Sequence, residues 1–306
     1  MAQTISKSNQ IQLHYYFTDN THGFDAIVRN ECEKELLNLY YDVAKTLGLN
    51  VFVQSEPPQE GGFIEIWKFI GENTNQITII VSAIAIILSR RPVENKKLTQ
   101  LQIENLEIEN ELKKNELREL QLKKLTESDI NEDTIRKVVE LLSLNYRVIW
   151  RRSNFYKKVI AYKRIHKVSE QRLFENSPIG ADREITRNEF SNFVLSTDDL
   201  PDNEIVEASI DLISPVLKSG NFLWKGFYNN DIISFQMQDD SFRAMIQNGE
   251  MILNNKVTLN TVLLQSRRID EDGHIKITKS IVTLVIDYSI NGVKHITKDG
   301  QIYLDS

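Results

Sequence analysis

Cysteine is almost missing from this chain. Cys32 stands alone among 306 residues, which excludes a disulfide framework or a cysteine-based zinc site and makes an intracellular setting the default expectation. The usual catalytic signatures are missing as well: there is no G-x-x-x-x-G-K-[ST], no G-x-G-x-x-G, no H-E-x-x-H and no G-x-S-x-G. Five histidines (His14, His22, His166, His274, His295) are too scattered to pair as metal ligands. Asp270-Glu271-Asp272-Gly273 reads as a turn and not a calcium loop, because Ser280 and Ile281 stand where the closing bidentate acid belongs. A nucleophilic set of Cys32 with His22 and Asp25 is set aside, since Cys32 shares a helix face with Leu36, Tyr40 and Leu47 and packs as a small apolar group. The expectation is therefore no enzyme, no cofactor and no metal. A formal charge of -6 argues against a general nucleic-acid coat, and the alternating N-terminus does not read as a signal peptide.

Long apolar runs are also missing, with one informative exception. Ile77 to Leu88, ITIIVSAIAIIL, is uncharged and is followed at once by Arg90 and Arg91. As a helix it would rise about 18 Å, against a hydrocarbon core of about 30 Å. Two readings compete. One is a buried core element; the other is a short element entering a membrane with help from neighbours or other subunits, through Ile77, Ile79, Ile80, Val81, Ile84, Ile86, Ile87 and Leu88. The upstream Phe63–Ile70 stretch, FIEIWKFI, mixes aromatics and charge as an interfacial helix would, and Lys96 and Lys97 extend the positive flank.

Around this run the chain reads as α+β. Ile11 to Phe17 alternates as a strand, Asp25 to Leu47 has helical spacing with Gly48 as terminator, and Leu49 to Gln54 forms a second strand before the Pro57-Pro58 and Gly61-Gly62 break. This gives a small α/β domain at 1–62, then the interfacial and hydrophobic segment at 63–91. Lys96 to Lys124 has no Gly or Pro and carries apolar rows interrupted by Asn105, Asn110 and Asn115. It predicts a long polar helix at 92–128, packed as a homo-oligomeric coiled-coil bundle or within its own chain.

Region 129–203 carries a charge anomaly: nine Lys or Arg between Arg147 and Arg172 against one acid, Glu170, with aromatics interleaved. The expectation is a basic helical region in which Arg147, Trp150, Arg151, Arg152, Tyr156, Lys157, Lys158, Lys163 and Arg164 bind an anionic nucleotide or oligonucleotide. The competing reading is a solvated positive face, or one that pairs with the acidic residues of another subunit. From 204 to 306 the turns at Asn229-Asn230, Asn254-Asn255 and Asn291-Gly292 predict an antiparallel β domain or small barrel with one helix at Asp240–Gln247.

The segments HGFDAIVRNECEKELL, EGGFIEIWKFIGENTNQITIIVSAIAIILSRRPVEN and SPVLKSGNFLWKGFY, together with the order of these parts, resemble the membrane effectors of bacterial Hailong-type anti-phage defence systems. That resemblance implies a homo-oligomer, a tetramer being one candidate, acting as a channel-like permeabiliser of the inner membrane. It implies a partner nucleotidyltransferase whose short DNA oligonucleotide controls the effector, and a location divided between cytoplasm and inner membrane. The competing expectation is a nucleic-acid-binding or scaffold protein with residues 77–88 buried in its core.

Overall fold

The computed structural model describes residues 6–19, 23–56, 63–90, 131–216, 222–251, 257–270 and 272–305. The chain divides into two compact units, Met1–Thr197 and Asp198–Ser306.

The first unit is one five-stranded antiparallel sheet of order β2-β3-β1-β4-β5, formed by β1 (Gln10–Phe17), β2 (Phe52–Glu56), β3 (Phe63–Ile70), β4 (Ile165–Phe174) and β5 (Ser177–Thr186). Alternation places Ile11, Leu13, Tyr15 and Phe17 of the central strand on one buried face. There they join one apolar cluster with α1 (Ala26–Thr46), α2 (Thr74–Ser89), α3 (Glu132–Leu144) and α4 (Tyr146–Ala161). Helix α1 starts where Asp25 Oδ1 accepts from the N–H groups of Ile27 and Val28, and ends before Gly48 at φ 66. Ile64 and Ile66 of β3 form a second, small cluster with Leu173 of β4. A short helix α5 (Arg187–Phe190) and a 3-10 turn, Ser191–Phe193, close the unit.

This arrangement corrects the expected string of modules. The N-terminal strands, residues 63–90 and residues 131–197 are parts of a single sheet-and-helix unit, and the end of the expected basic region, from residue 198 on, belongs to the second unit. Phe63–Ile70 is strand β3, not an interfacial helix: its period of two puts Trp67 and Phe69 on the main core and Ile64 and Ile66 on the second cluster. The Ile77–Leu88 run is helix α2 inside that core. Of its eight expected membrane residues, Ile86 is half-buried and the other seven are buried. Among the described residues no helix is long and apolar enough to cross a membrane. The helix expected at 92–128, with its bundle, falls outside the described residues, so nothing supports a bundle architecture. Strands β4 and β5 replace most of the supposed basic helical region after residue 164.

The second unit contains β6 (Asp199–Ser214), β7 (Trp224–Tyr228), β8 (Asp231–Met237), α6 (Asp240–Gln247), β9 (Val257–Ile269), β10 (Ile275–Ile290), β11 (Val293–Ile296) and α7 (Lys298–Leu304). Its sheet runs β11-β10-β8-β7-β6-β9, and a further β9–β10 pairing closes strands β6 to β10 on themselves. The domain is not wholly antiparallel, as was expected, because β8 and β10 are parallel through Gln236↔Ile281 and Met237↔Val282. Helix α6, at the position expected for it, links β8 to the β9–β10 hairpin. Asp239 fastens it: Oδ1 accepts from the N–H of Phe242 and Oδ2 from the N–H of Val285 on β10. A three-strand meander, a helix, and a hairpin whose second strand runs parallel to the third make up the connectivity of the OB-fold, a five-stranded Greek-key barrel.

Candidate functional site

The nine residues expected to bind an anion lie on α4 and just after it, but the structure does not gather them into an open basic face. Trp150, Arg151, Arg152 and Tyr156 are buried at 3, 5, 9 and 1 % exposure. Arg147, Lys157, Lys158 and Arg164 are half-buried, and Lys163 is exposed. The reason is the facing helix. Glu31, Glu35 and Asp42 recur at helical spacing on α1, and α4 runs antiparallel to it. Lys158 Nζ lies 3.0 Å from Glu31 Oε2; Arg151 Nη1 lies 3.2 Å from Glu35 Oε2, and its Nε lies 3.5 Å from Asp42 Oδ2. Arg164 closes on Asp19 at 2.8 Å and on the Phe17 ring. Arg151 and Lys158 hold the two helices together within the chain, and Arg164 ties the residues after α4 to those after β1.

Arg152 and Tyr156 do something else: they finish α2. The last carbonyls of a helix have no intrahelical partner. Tyr156 Oη donates to Leu88 O at 2.6 Å and Arg152 Nη1 to Ile87 O at 3.4 Å. A cation suits that negative end of the helix dipole. Burial lowers the Arg152 guanidinium to about 10 and raises the Tyr156 phenol beyond its ordinary range. The two sequence features that had suggested separate functions, an apolar run and a basic stretch, are thus mutual packing partners.

Along α2 the hydroxyls of Thr78, Ser82 and Ser89 recur on one side. Thr78 Oγ1 accepts from the N–H of Ser8 at 3.2 Å, Ser82 Oγ accepts from Arg172 Nη1 at 2.8 Å, and Ser89 Oγ accepts from Arg183 Nη1 at 3.4 Å. Next to this seam Glu170 of β4 is buried. Elsewhere in the unit Glu65 accepts from Arg29 Nε at 2.9 Å and from Tyr15 Oη at 3.4 Å. Burial raises that carboxyl, and the guanidinium works against the rise. Cys32 is buried and its thiol is pushed up to about 12 by desolvation, so it is the opposite of an activated nucleophile.

The barrel offers a different surface, which sequence reasoning had treated only as strand. The turn Asn229-Asn230, at φ 51 and 68, pairs Phe227 with Ile232 and Lys225 with Ser234 across β7 and β8. Trp224 and Phe235 point into the barrel core, so the neighbouring Lys225 and the Phe227–Ile232 pair point outward; Phe227 is 45 % and Ile232 63 % exposed. A detectable signal existed: two large apolar residues flanking a tight turn on the solvent side of an alternating hairpin. At the β9–β10 turn, Asp270, Asp272 and His274 bring ligand atoms within 4.8 Å of one another. Asp270 Oδ1 is already taken by the N–H groups of Asp272 and His274, which is the hydrogen bonding the turn requires and which holds that carboxyl below its usual range.

The fold and these surfaces define an α+β chain with one sheet-and-helix unit and one OB-type barrel. No protein-family model, curated protein or solved structure matches it.

Proposed function

We propose that the chain is a non-catalytic binding protein for a short single-stranded oligonucleotide or nucleotide, and that the barrel holds the ligand. One observation carries this reading: the exposed Lys225, Phe227 and Ile232 lie on the second and third barrel strands, the ligand face of barrels with this connectivity. An aromatic ring beside a cation can stack one base and neutralise one phosphate. Residues 198–306 contain sixteen acids against ten Lys or Arg, so long-range attraction for a phosphate backbone is weak. Stacking has to supply most of the affinity, which favours a short ligand. Fluorescence anisotropy with a labelled four-nucleotide oligo-dA provides the test. Phe227→Ala is expected to weaken binding about 5- to 150-fold, the ~1–3 kcal/mol attributed to one stacked base. Wild-type affinity should fall less than about tenfold between 50 and 200 mM salt, as one or two neutralised phosphates dictate. Equal affinity of wild type and Phe227→Ala would remove this face from consideration.

A second reading is favoured by α2. Its contacts at Thr78, Ser82 and Ser89 are polar ones that water can replace. An uncharged helix whose apolar side chains, now in the core, suit lipid equally well fits the effector reading that the Hailong resemblance implies, in which the helix leaves its unit for the inner membrane and a bound oligonucleotide favours the docked form. A ligand does this only by binding the two forms unequally. Liposome flotation of the wild-type chain with and without oligonucleotide decides it. Flotation only without ligand supports the effector, and a chain that stays at the bottom of the gradient in both conditions refutes it.

A further inference from the structure

Glu170 occupies the middle of β4, opposite Leu13 of β1 and Arg183 of β5. It is 1 % exposed, and its Oε1 meets no hydrogen-bond partner among the described residues. Arg172, which pairs with Ile11 as Glu170 pairs with Leu13, shares that face of the sheet. Each arginine donates to a hydroxyl of α2, half-buried Arg172 to Ser82 and exposed Arg183 to Ser89. We propose that Glu170 is a protonation-gated latch for α2: the helix stays seated while this carboxyl carries its proton and loosens when the carboxyl ionises.

The argument is a competition for donors. A buried carboxylate needs donors for its oxygens, and one left unpaired is strongly unfavourable. Protonated Glu170 makes no such demand and leaves Arg172 and Arg183 on the α2 hydroxyls. Ionised Glu170 draws those guanidinium groups toward itself or draws water into the seam, and either change weakens the helix's fastening. The groups around it allow this. Strand β4 contributes Arg172, β5 contributes Arg183 and Asp182, α4 contributes Tyr156 and α1 contributes Tyr40, whereas β1 presents Leu13 and α2 presents only Ser82 and Ser89. Glu65, a second buried carboxyl with a raised pKa among the described residues of this unit, already has Arg29 and does not compete.

Burial raises Glu170 from the ordinary 4.5 to about 7, against the opposing pull of Arg183 and Arg172. Burial, and then Arg183, in turn lower Arg172. With α2 displaced and the seam hydrated, the carboxyl returns to its ordinary range. The seated form therefore binds the extra proton, so its advantage is greatest below about 4.5 and is lost as pH rises through about 7. Those two values imply a loss of about tenfold in the seating equilibrium between pH 6 and 8.

Hydrogen–deuterium exchange on the full chain measures this through the α2 amides, with protection corrected for intrinsic exchange and β9 amides as the internal reference. Wild-type α2 is expected to lose about tenfold protection from pH 6 to 8 while β9 does not change. Glu170→Gln keeps the carboxyl's shape without its charge and should hold α2 at the low-pH level throughout. A flat wild-type profile overturns the latch, as does a Gln variant that retains the slope. Should that variant fail to fold, carboxyl 13C titration of the wild type replaces it: a glutamate titrating near 7 that tracks α2 protection is expected, and titration of every glutamate below about 5.5 overturns the proposal. The inference concerns the seating of α2 and holds whether or not lipid receives the helix, so its failure would not touch the oligonucleotide reading.

Discussion

Ile84→Glu is expected to unfold the Met1–Thr197 unit, whatever α2 does at a membrane. Ile84 is fully buried, on a helix whose neighbours Ile80, Val81, Ile87 and Leu88 belong to the same apolar cluster. Two costs combine. Removing the apolar side chain forfeits about 1.5–3 kcal/mol, and placing an unpaired carboxylate there costs several more, since an unpaired buried charge is disfavoured even after its pKa rises. The total, about 4 kcal/mol or more, is comparable to the 5–15 kcal/mol that holds a typical domain together. Chemical denaturation followed by far-UV circular dichroism should show the first unit largely lost or its midpoint sharply lowered, with the barrel's transition unchanged. A variant as stable as wild type would mean that α2 does not sit in this core. The consequence for function is practical. Loss of a membrane phenotype in Ile84→Glu cannot separate an inserted helix from an unfolded unit, which is why flotation of the wild type is the better discriminator.

How much of this was legible depended on how local the cause was. The β1 alternation, the helical spacing from Asp25 to Leu47, Gly48, the Asn229-Asn230 and Asn291-Gly292 turns and the helix at Asp240–Gln247 are written in neighbouring residues, and reading them placed those elements. Phe63–Ile70 also carried a period of two, but Trp67 and Lys68 drew the reading toward an interface. Strand β4 escaped because Val168, Ser169 and Glu170 are buried in succession, which erases alternation, and β5 escaped because most of its residues are exposed. The closed barrel depends on β6 meeting β9 and β8 meeting β10, pairings that no local pattern announces. The basic stretch shows the limit of local reading most plainly. Its charge excess is real, yet Arg151 and its partner Glu35 are 116 residues apart. A window sliding along the chain sees nine cations and one acid, while the folded unit sets Arg151 and Lys158 against Glu35, Asp42 and Glu31 of the facing helix.

That matching sets the second large effect. Arg151→Glu and Lys158→Glu change the same charge on the same helix and would be equivalent on an open phosphate-binding face. In this structure they differ in kind. Arg151 is 5 % exposed and holds Glu35, which is also buried, and Asp42. Removing such a cation leaves buried Glu35 and half-buried Asp42 uncompensated, at a cost of about 3–5 kcal/mol, and a third carboxylate adds repulsion. Lys158 and Glu31 are 39 % and 48 % exposed at the side chain, so water and salt already screen them and their loss costs about 0–1 kcal/mol. Urea denaturation of the two single variants should therefore separate them by at least about 2 kcal/mol, Arg151→Glu being the less stable. Adding Glu35→Gln to Arg151→Glu should recover part of the loss, because one of the stranded acids is gone. Two variants of equal stability, each with weakened oligonucleotide binding, would restore the helix as a ligand face. The expected pattern, a large stability gap with no difference in binding per folded molecule, leaves ligand recognition to the barrel.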